Sequence, residues 1–323
     1  MKKLLLFLLS LSLFLPAASA LAEGGNVVGV IDIKIMHETY TYGNFEYALL
    51  ENGDAELIRY NGPEGNVNIP YALDGHPITA VRGNPFYYYN SPDDSGIKNC
   101  TISVPVDHPY LATIDGVLFG QSDRRLISYF PSLPGTALSV NDELWEDIAW
   151  EYEIPQGIQI IGENAFYHCT ELEGVIIPDS VTSIGYSAFE GCTGLRNVTI
   201  PDGVTSIEAF TFCDCTGLKS VTIPDSVTSI GNCAFSICKG LTVVIIPNSV
   251  TTIESQVFYD CTELTSVTIP DSVTSIDNSA FNDCPNLTLT VAPGSYAESY
   301  CINNGLSYIY LGTTYGDNDS WLN

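Results

Sequence analysis

Residues 177–199 read IPDSVTSIGYSAFEGCTGLRNVT, and the next 23 residues read IPDGVTSIEAFTFCDCTGLKSVT. Aligned on Ile-Pro, copies begin at Ile154, Ile177, Ile200, Ile223, Ile246 and Ile269, every step being 23 residues. A fixed period of this length means that one supersecondary unit is being stacked, because a unit so short cannot bury its apolar face alone. The apolar residues fall in register. Phe166, Phe189, Phe212, Phe235, Phe258 and Phe281 form one column, and Leu172, Leu195, Leu218, Leu241, Leu264 and Leu287 a second. Cys169, Cys192, Cys215, Cys238, Cys261 and Cys284 form a third.

Each copy holds the parts of one coil. LRNVTI turns Leu195, Val198 and Ile200 inward as a short strand. The following Pro has no N–H for a ladder and a fixed φ, which suits a corner. DSVTSI reads as a second short strand, Val inward and Thr outward. YSAFEGC is expected to form about one helical turn that buries Ala188, Phe189 and Cys192. At roughly 4.8 Å per rung, the Phe rings of neighbouring coils come within aromatic contact. Gly185 does not signal an obligatory left-handed turn, since Glu208, Glu254 and Asp277 share its column.

The ends read as caps. FEYALLENGDAELIRY, residues 45–60, predicts a β-hairpin around Asn52-Gly53. After the last copy one residue is lost from the spacing, so the register shifts. Ser295 and Glu298 then have capping-box spacing, and Gly305 ends a short helix whose Ala297 and Cys301 face the last coil. The expected organisation is a signal peptide at 1–22, an N-terminal hairpin cap at 23–68, a divergent repeat with inserts at 69–153, six regular repeats at 154–291, and a C-terminal cap and tail at 292–323.

The signal peptide rests on Lys2 and Lys3, the apolar run LLLFLLSLSLFL, and the small residues before Ala22. No later stretch reaches the roughly 18 apolar residues of a membrane helix. Cleavage leaves nine basic against 38 acidic residues, a net charge of −29. Such a field repels phosphate backbones and anionic lipid, which sets nucleic acid and membrane surfaces aside as partners.

Ten cysteines in an exported chain suggest disulfides. The six column cysteines point the same way, which is poor bridging geometry, and they read as buried thiols. Cys100, placed at a repeat valine position, and Cys301 read as core. Cys213 and Cys233 sit on turns of neighbouring coils at otherwise polar positions, where one disulfide is conceivable. His37, His76, His108 and His168 are scattered without a partner at i+3 or i+4, so neither a metal nor a cofactor is expected. GDNDS at 316–320 lacks the Gly and distal Glu of a calcium loop. No catalytic motif appears. NDELWEDIAWEYE, residues 141–153, is an acidic insert whose Trp145 and Trp150 pack on the coils or offer rings to a sugar.

The order of columns, a Leu–Val–Ile strand, Pro, Val-Thr-x-Ile-Gly, Ala-Phe and Cys, resembles the bacterial BspA-like, or treponemal-type, leucine-rich repeat over residues 154–291. NVNIPYALDGHPITAVRGNPF (66–86) looks like a degenerate first repeat, and DGVLF followed by LISYFP resembles the segment the family places before its regular coils. The resemblance implies a β-rich α/β solenoid: a right-handed leucine-rich-repeat coil of short parallel strands and short helical turns. It also implies a secreted or cell-surface bacterial protein, non-enzymatic, that adheres to an extracellular protein or cell-surface ligand. A carbohydrate-binding accessory protein of a polysaccharide-handling system is the alternative. In such repeats the strand side is often the recognition surface. There the two positions after each Leu and the one after each Val are free to vary. The candidate ligand-binding residues are therefore Arg196, Asn197, Lys219, Ser220, Thr242, Val243, Thr265 and Ser266, with Trp145 and Trp150 of the insert. Arg196 and Lys219, adjacent in the stack, suit an acidic or polar partner.

Overall fold

A computed structural model describes residues 38–87, 100–129 and 151–312. Residues 1–22, Trp145 and Trp150 lie outside them. From Glu151 onward the chain is a β-solenoid with two strands per coil. The first strand comes from the LRNVTI part of the repeat. Glu151–Glu153, Gly174–Ile176, Asn197–Thr199 and Ser220–Thr222 pair in parallel, and so do Val243–Ile245, Ser266–Thr268, Thr288–Val291 and Ser307–Tyr310. Between the two groups, Thr242 N–H donates to Lys219 O at 3.4 Å. Leu, Val and Ile of this part face the core: Leu195, Leu218, Leu241, Val198, Val244 and Ile246 are all buried. The second strand is the Ser-Ile of VTSI, pairing in parallel from Ser206–Ile207 through Ser275–Ile276.

The YSAFEGC segments are not helical, contrary to the helical turn expected there. Alternate N–H groups serve different coils. Ala188 N–H bonds back to Gly185 O and Glu190 N–H to Ser187 O, whereas Ser187, Phe189 and Gly191 N–H donate to Ala209, Thr211 and Cys213 O of the next coil. This alternation puts two residues of most coils in the left-handed region. One column is Asn164, Ser187, Phe210, Cys233 and Gln256, and the other His168, Gly191, Asp214, Ile237, Asp260 and Asp283, with φ between 51° and 72°. A helix would direct every N–H along its own axis. Here the next coil lies alongside and takes half of them. Gly185 is not among the left-handed residues.

Side-chain columns fill the interior. Neighbouring Phe rings stack from Phe166 to Phe281 at 4.8–5.6 Å with planes within 12° of parallel. Tyr129 closes the column at one end, 4.9 Å from Phe166, and Tyr300 at the other, 6.2 Å from Phe281. All ten cysteines are free thiols, Cys213 and Cys233 included.

Before the solenoid, Thr39–Tyr42, Phe45–Leu49 and Ala55–Tyr60 form an antiparallel meander, and Ala55–Tyr60 pairs in parallel with His76–Val81. Asn66–Asn68 pairs in parallel with Thr101–Ser103, Val67 opposite Ile102, so the valine position of that coil is Ile102 and not Cys100. Cys100 is nonetheless buried. The strand Val117–Gly120 joins two cores: Val117 and Phe119 pack into the solenoid interior, and Leu118 among Leu57, Ile78 and Phe86. At the far end, Ser266 pairs with Thr288, a step of 22, which is the lost residue. The helix Tyr296–Asn304 follows, with Ser295 Oγ accepting from Glu298 N–H and Gly305 left-handed at φ 66°.

Candidate interaction face

The first strand of each coil turns its middle residue inward and its two flanking residues outward, as period-two geometry requires. The structure brings eight of the sequence-selected residues onto this one sheet face. Arg196, Asn197, Lys219, Ser220, Thr242, Val243 and Thr265 are exposed, and Ser266 is half-buried. Arg196 and Lys219 are on adjacent rungs, with Lys219 N–H donating to Arg196 O at 2.7 Å.

Their side chains are already engaged. Arg196 Nε lies 3.5 Å from Glu173 Oε2, and Lys219 Nζ donates to Glu263 Oε2 at 3.4 Å. Exposed pairs of this kind add little stability, but each cancels a charge. The hydroxyls are used too. Ser220 Oγ donates to Asn197 Oδ1 at 2.7 Å, and Thr265 Oγ1 to Thr242 O at 3.0 Å.

A third outward column, the residue after each Val, lies beside these. The sequence marks it as variable, yet after Glu153 on the first strand its chemistry is uniform: Ile176, Thr199, Thr222, Ile245, Thr268, Thr290 and Ile309 are all β-branched. Pairings Thr199–Thr222, Ile245–Thr268, Thr268–Thr290 and Thr290–Ile309 place them side by side. Ile245 is 66% exposed, Val243 beside it 49% and Ile176 44%. Two residues on, Pro178, Pro201, Pro224 and Pro270 each open a turn closed by the N–H of the following Val. Asp179, Asp202, Asp225 and Asp271 sit exposed on those turns, and Asn248 takes the place in the coil that carries Val243 and Ile245.

The interior thiols are chemically quiet. Burial pushes Cys192 up to about 12 and Cys215 and Cys238 well above the ordinary thiol value. A thiol held protonated is a poor nucleophile. Among the described residues, no group of three or more His, Cys, Asp or Glu is placed to hold a metal ion, and no helix is long and apolar enough to cross a membrane.

Parallel strands on a single repeating coil, with Leu, Phe and Cys columns inside, define a leucine-rich-repeat solenoid. Residues 159–288 match the family described as BspA type leucine rich repeat region in six copies, and that region belongs to this family. Among solved structures, the pneumococcal vaccine antigen PcpA matches with TM-score 0.59 at 17% identity, covering 77% of this chain and 56% of its own. A leucine-rich repeat protein from Eubacterium ventriosum matches with TM-score 0.50 at 22% identity, covering 68% of this chain and 58% of its own. At these identities the likeness is one of fold, and the chain spans little more than half the length of either. No curated protein matches at a significant level.

Proposed function

We propose that this chain is an exported, non-enzymatic binding protein of a bacterial surface, whose sheet face docks a macromolecular partner in adhesion. The observation that carries this reading is the outward residues of at least seven parallel strands standing in register on a rigid core, a wide regular surface of the kind repeat solenoids use for recognition. The family of residues 159–288 agrees with it, as does the fold shared with PcpA, which is a vaccine antigen. The leader at 1–22 supplies the route of export in this reading.

The test is a solid-phase binding panel of purified extracellular-matrix proteins, whole bacterial cells and glycans. The protein is compared with a variant carrying Asn197→Tyr and Ser266→Tyr, which crowd the sheet face. Saturable binding to a protein or cell, reduced at least tenfold in the variant while the melting temperature holds, supports the proposal. Binding confined to glycans, or binding unaffected by the variant, contradicts it.

A further inference from the structure

Resting on that reading, we infer that the sheet face takes a cationic amphipathic polypeptide, laid along the solenoid axis with its apolar side on the β-branched column and its basic side toward the aspartate turns. The column is continuous across seven strands. Its three isoleucines recur at every third coil: Ile176, Ile245 and Ile309. Six steps of about 4.8 Å make a ridge of about 29 Å, the length of a helix of about 19 residues. Ile245 and Val243 are its most prominent point, where neighbouring coils carry Thr222 and Thr268, Ser220 and Ser266. Isolated exposed aliphatics are ordinary. Here they belong to a column in which Thr199, Thr222, Thr268 and Thr290 also present a methyl group, and which ends beyond Ile176 in the acidic Glu153.

Charge complementarity chooses the partner's sign. The only two bases of the candidate set, Arg196 and Lys219, are neutralised by Glu173 and Glu263. Asp179, Asp202, Asp225 and Asp271 flank the ridge, with Asn248 replacing the acid beside the apolar high point. The chain as a whole carries −27, which steers cations toward it and opposes a second copy of itself. An acidic partner, the one that Arg196 and Lys219 suggest from sequence, meets no free positive side chain in this candidate set.

Three helical 19-residue probes test this: a Leu/Lys peptide with one apolar stripe, a Glu counterpart of it, and a Lys/Ala peptide of equal charge without the stripe. Binding is read by fluorescence anisotropy on the full chain at two salt concentrations. Ile176→Thr/Ile245→Thr/Val243→Ser borrows residues that neighbouring coils already carry, and a melt checks its fold. Asp202→Asn/Asp225→Asn/Asp271→Asn removes three of the four flanking acids. The expected result is saturable binding of the Leu/Lys peptide alone, weakened at least tenfold by either variant, with less salt dependence left in the aspartate variant. Equal binding of the stripeless peptide reduces the effect to bulk charge and overturns the inference. Binding of the Glu peptide, lost in the isoleucine variant, overturns the sign and leaves the sheet-face reading standing. Absence of peptide binding also overturns the inference, and the sheet-face reading is then decided by its own panel.

Discussion

From Cys192 onward, each column cysteine donates its S–H to the Phe carbonyl of the preceding coil. Cys192 Sγ reaches Phe166 O at 3.0 Å, Cys215 reaches Phe189 O at 3.1 Å, Cys238 reaches Phe212 O at 3.1 Å and Cys261 reaches Phe235 O at 3.2 Å. The Phe N–H groups bond to the next coil, and the thiol serves a carbonyl that no water reaches. Cysteine combines a small apolar body with a weak donor, which is what this place asks for. Phe189 O also accepts the Cys192 N–H at 3.2 Å, so Cys215→Ala removes its second donor and should cost about 0.5–1.5 kcal/mol, read as a shift of the urea midpoint at unchanged slope. In the intact protein the buried Cys192, Cys215, Cys238 and Cys261 should resist alkylation until denaturant is added, whereas Cys284 is only half-buried. Burial of the column was legible in its period; its hydrogen-bonding role was not, because the partner lies 26 residues away on the backbone. His108 is a second residue with a definite expectation. Its Nδ1 accepts N–H from Tyr110 at 3.2 Å and Leu111 at 3.1 Å, and Tyr71 stacks on its ring at 5.5 Å. Burial lowers its pKa below the ordinary 6.5, and Pro70 and Asp107 oppose this only in part. A lowered imidazole contributes stability that is complete above the unfolded value and is lost as pH falls below about 6.5. Thermal melts from pH 7.5 to 4.5 should show a loss that is smaller in His108→Gln; identical pH profiles would remove His108 from the account.

At the scale of the element, the two strands of each coil were readable because their inward residues repeat without exception. The turn between second strand and first was misread as helical. Ala-Phe spacing and a Cys three residues on fit a helical turn equally well, and nothing in Ser187, Phe210, Cys233 or Ile237 as residue types announces a left-handed backbone. The competing demand is the neighbouring coil's need for N–H donors, which no single copy displays. One consequence is measurable at Ile237. It holds φ 60°, where a β-branched side chain is strained, in a column filled elsewhere by His, Gly and Asp. Ile237→Asn should stabilise the protein by roughly 0.5–1 kcal/mol despite removing an apolar group. A loss in the urea midpoint would mean that the left-handed turn is not strained there. The sheet face was legible in part for a related reason. Its position followed from the Leu-Val-Ile spacing, but the engagement of Arg196 and Lys219 depends on Glu173 and Glu263, which come from other coils.

At the scale of the whole molecule, the period alone predicted a stack whose interior is built of columns, and the Phe ladder from Tyr129 to Tyr300 is that stack's axis. The N-terminal third was less readable. There, Asn66–Asn68 and Thr101–Ser103 are 35 residues apart in the chain and yet pair like neighbouring coils, so the period no longer announces the contact. In the regular part every coil presents its neighbours with the same Phe, Cys and Leu faces, so coils should be interchangeable units. Deleting residues 223–245 removes one whole coil and brings Thr222 before Ile246, the join that the sequence already uses between copies. Deleting ten residues from the same coil breaks every column at once. Circular dichroism melts of these two variants test the central claim most directly. The full-coil deletion should keep a cooperative transition within several degrees of the parent, and the ten-residue deletion should lose it. Equal damage in both would contradict the claim that each coil's partner is simply the next coil.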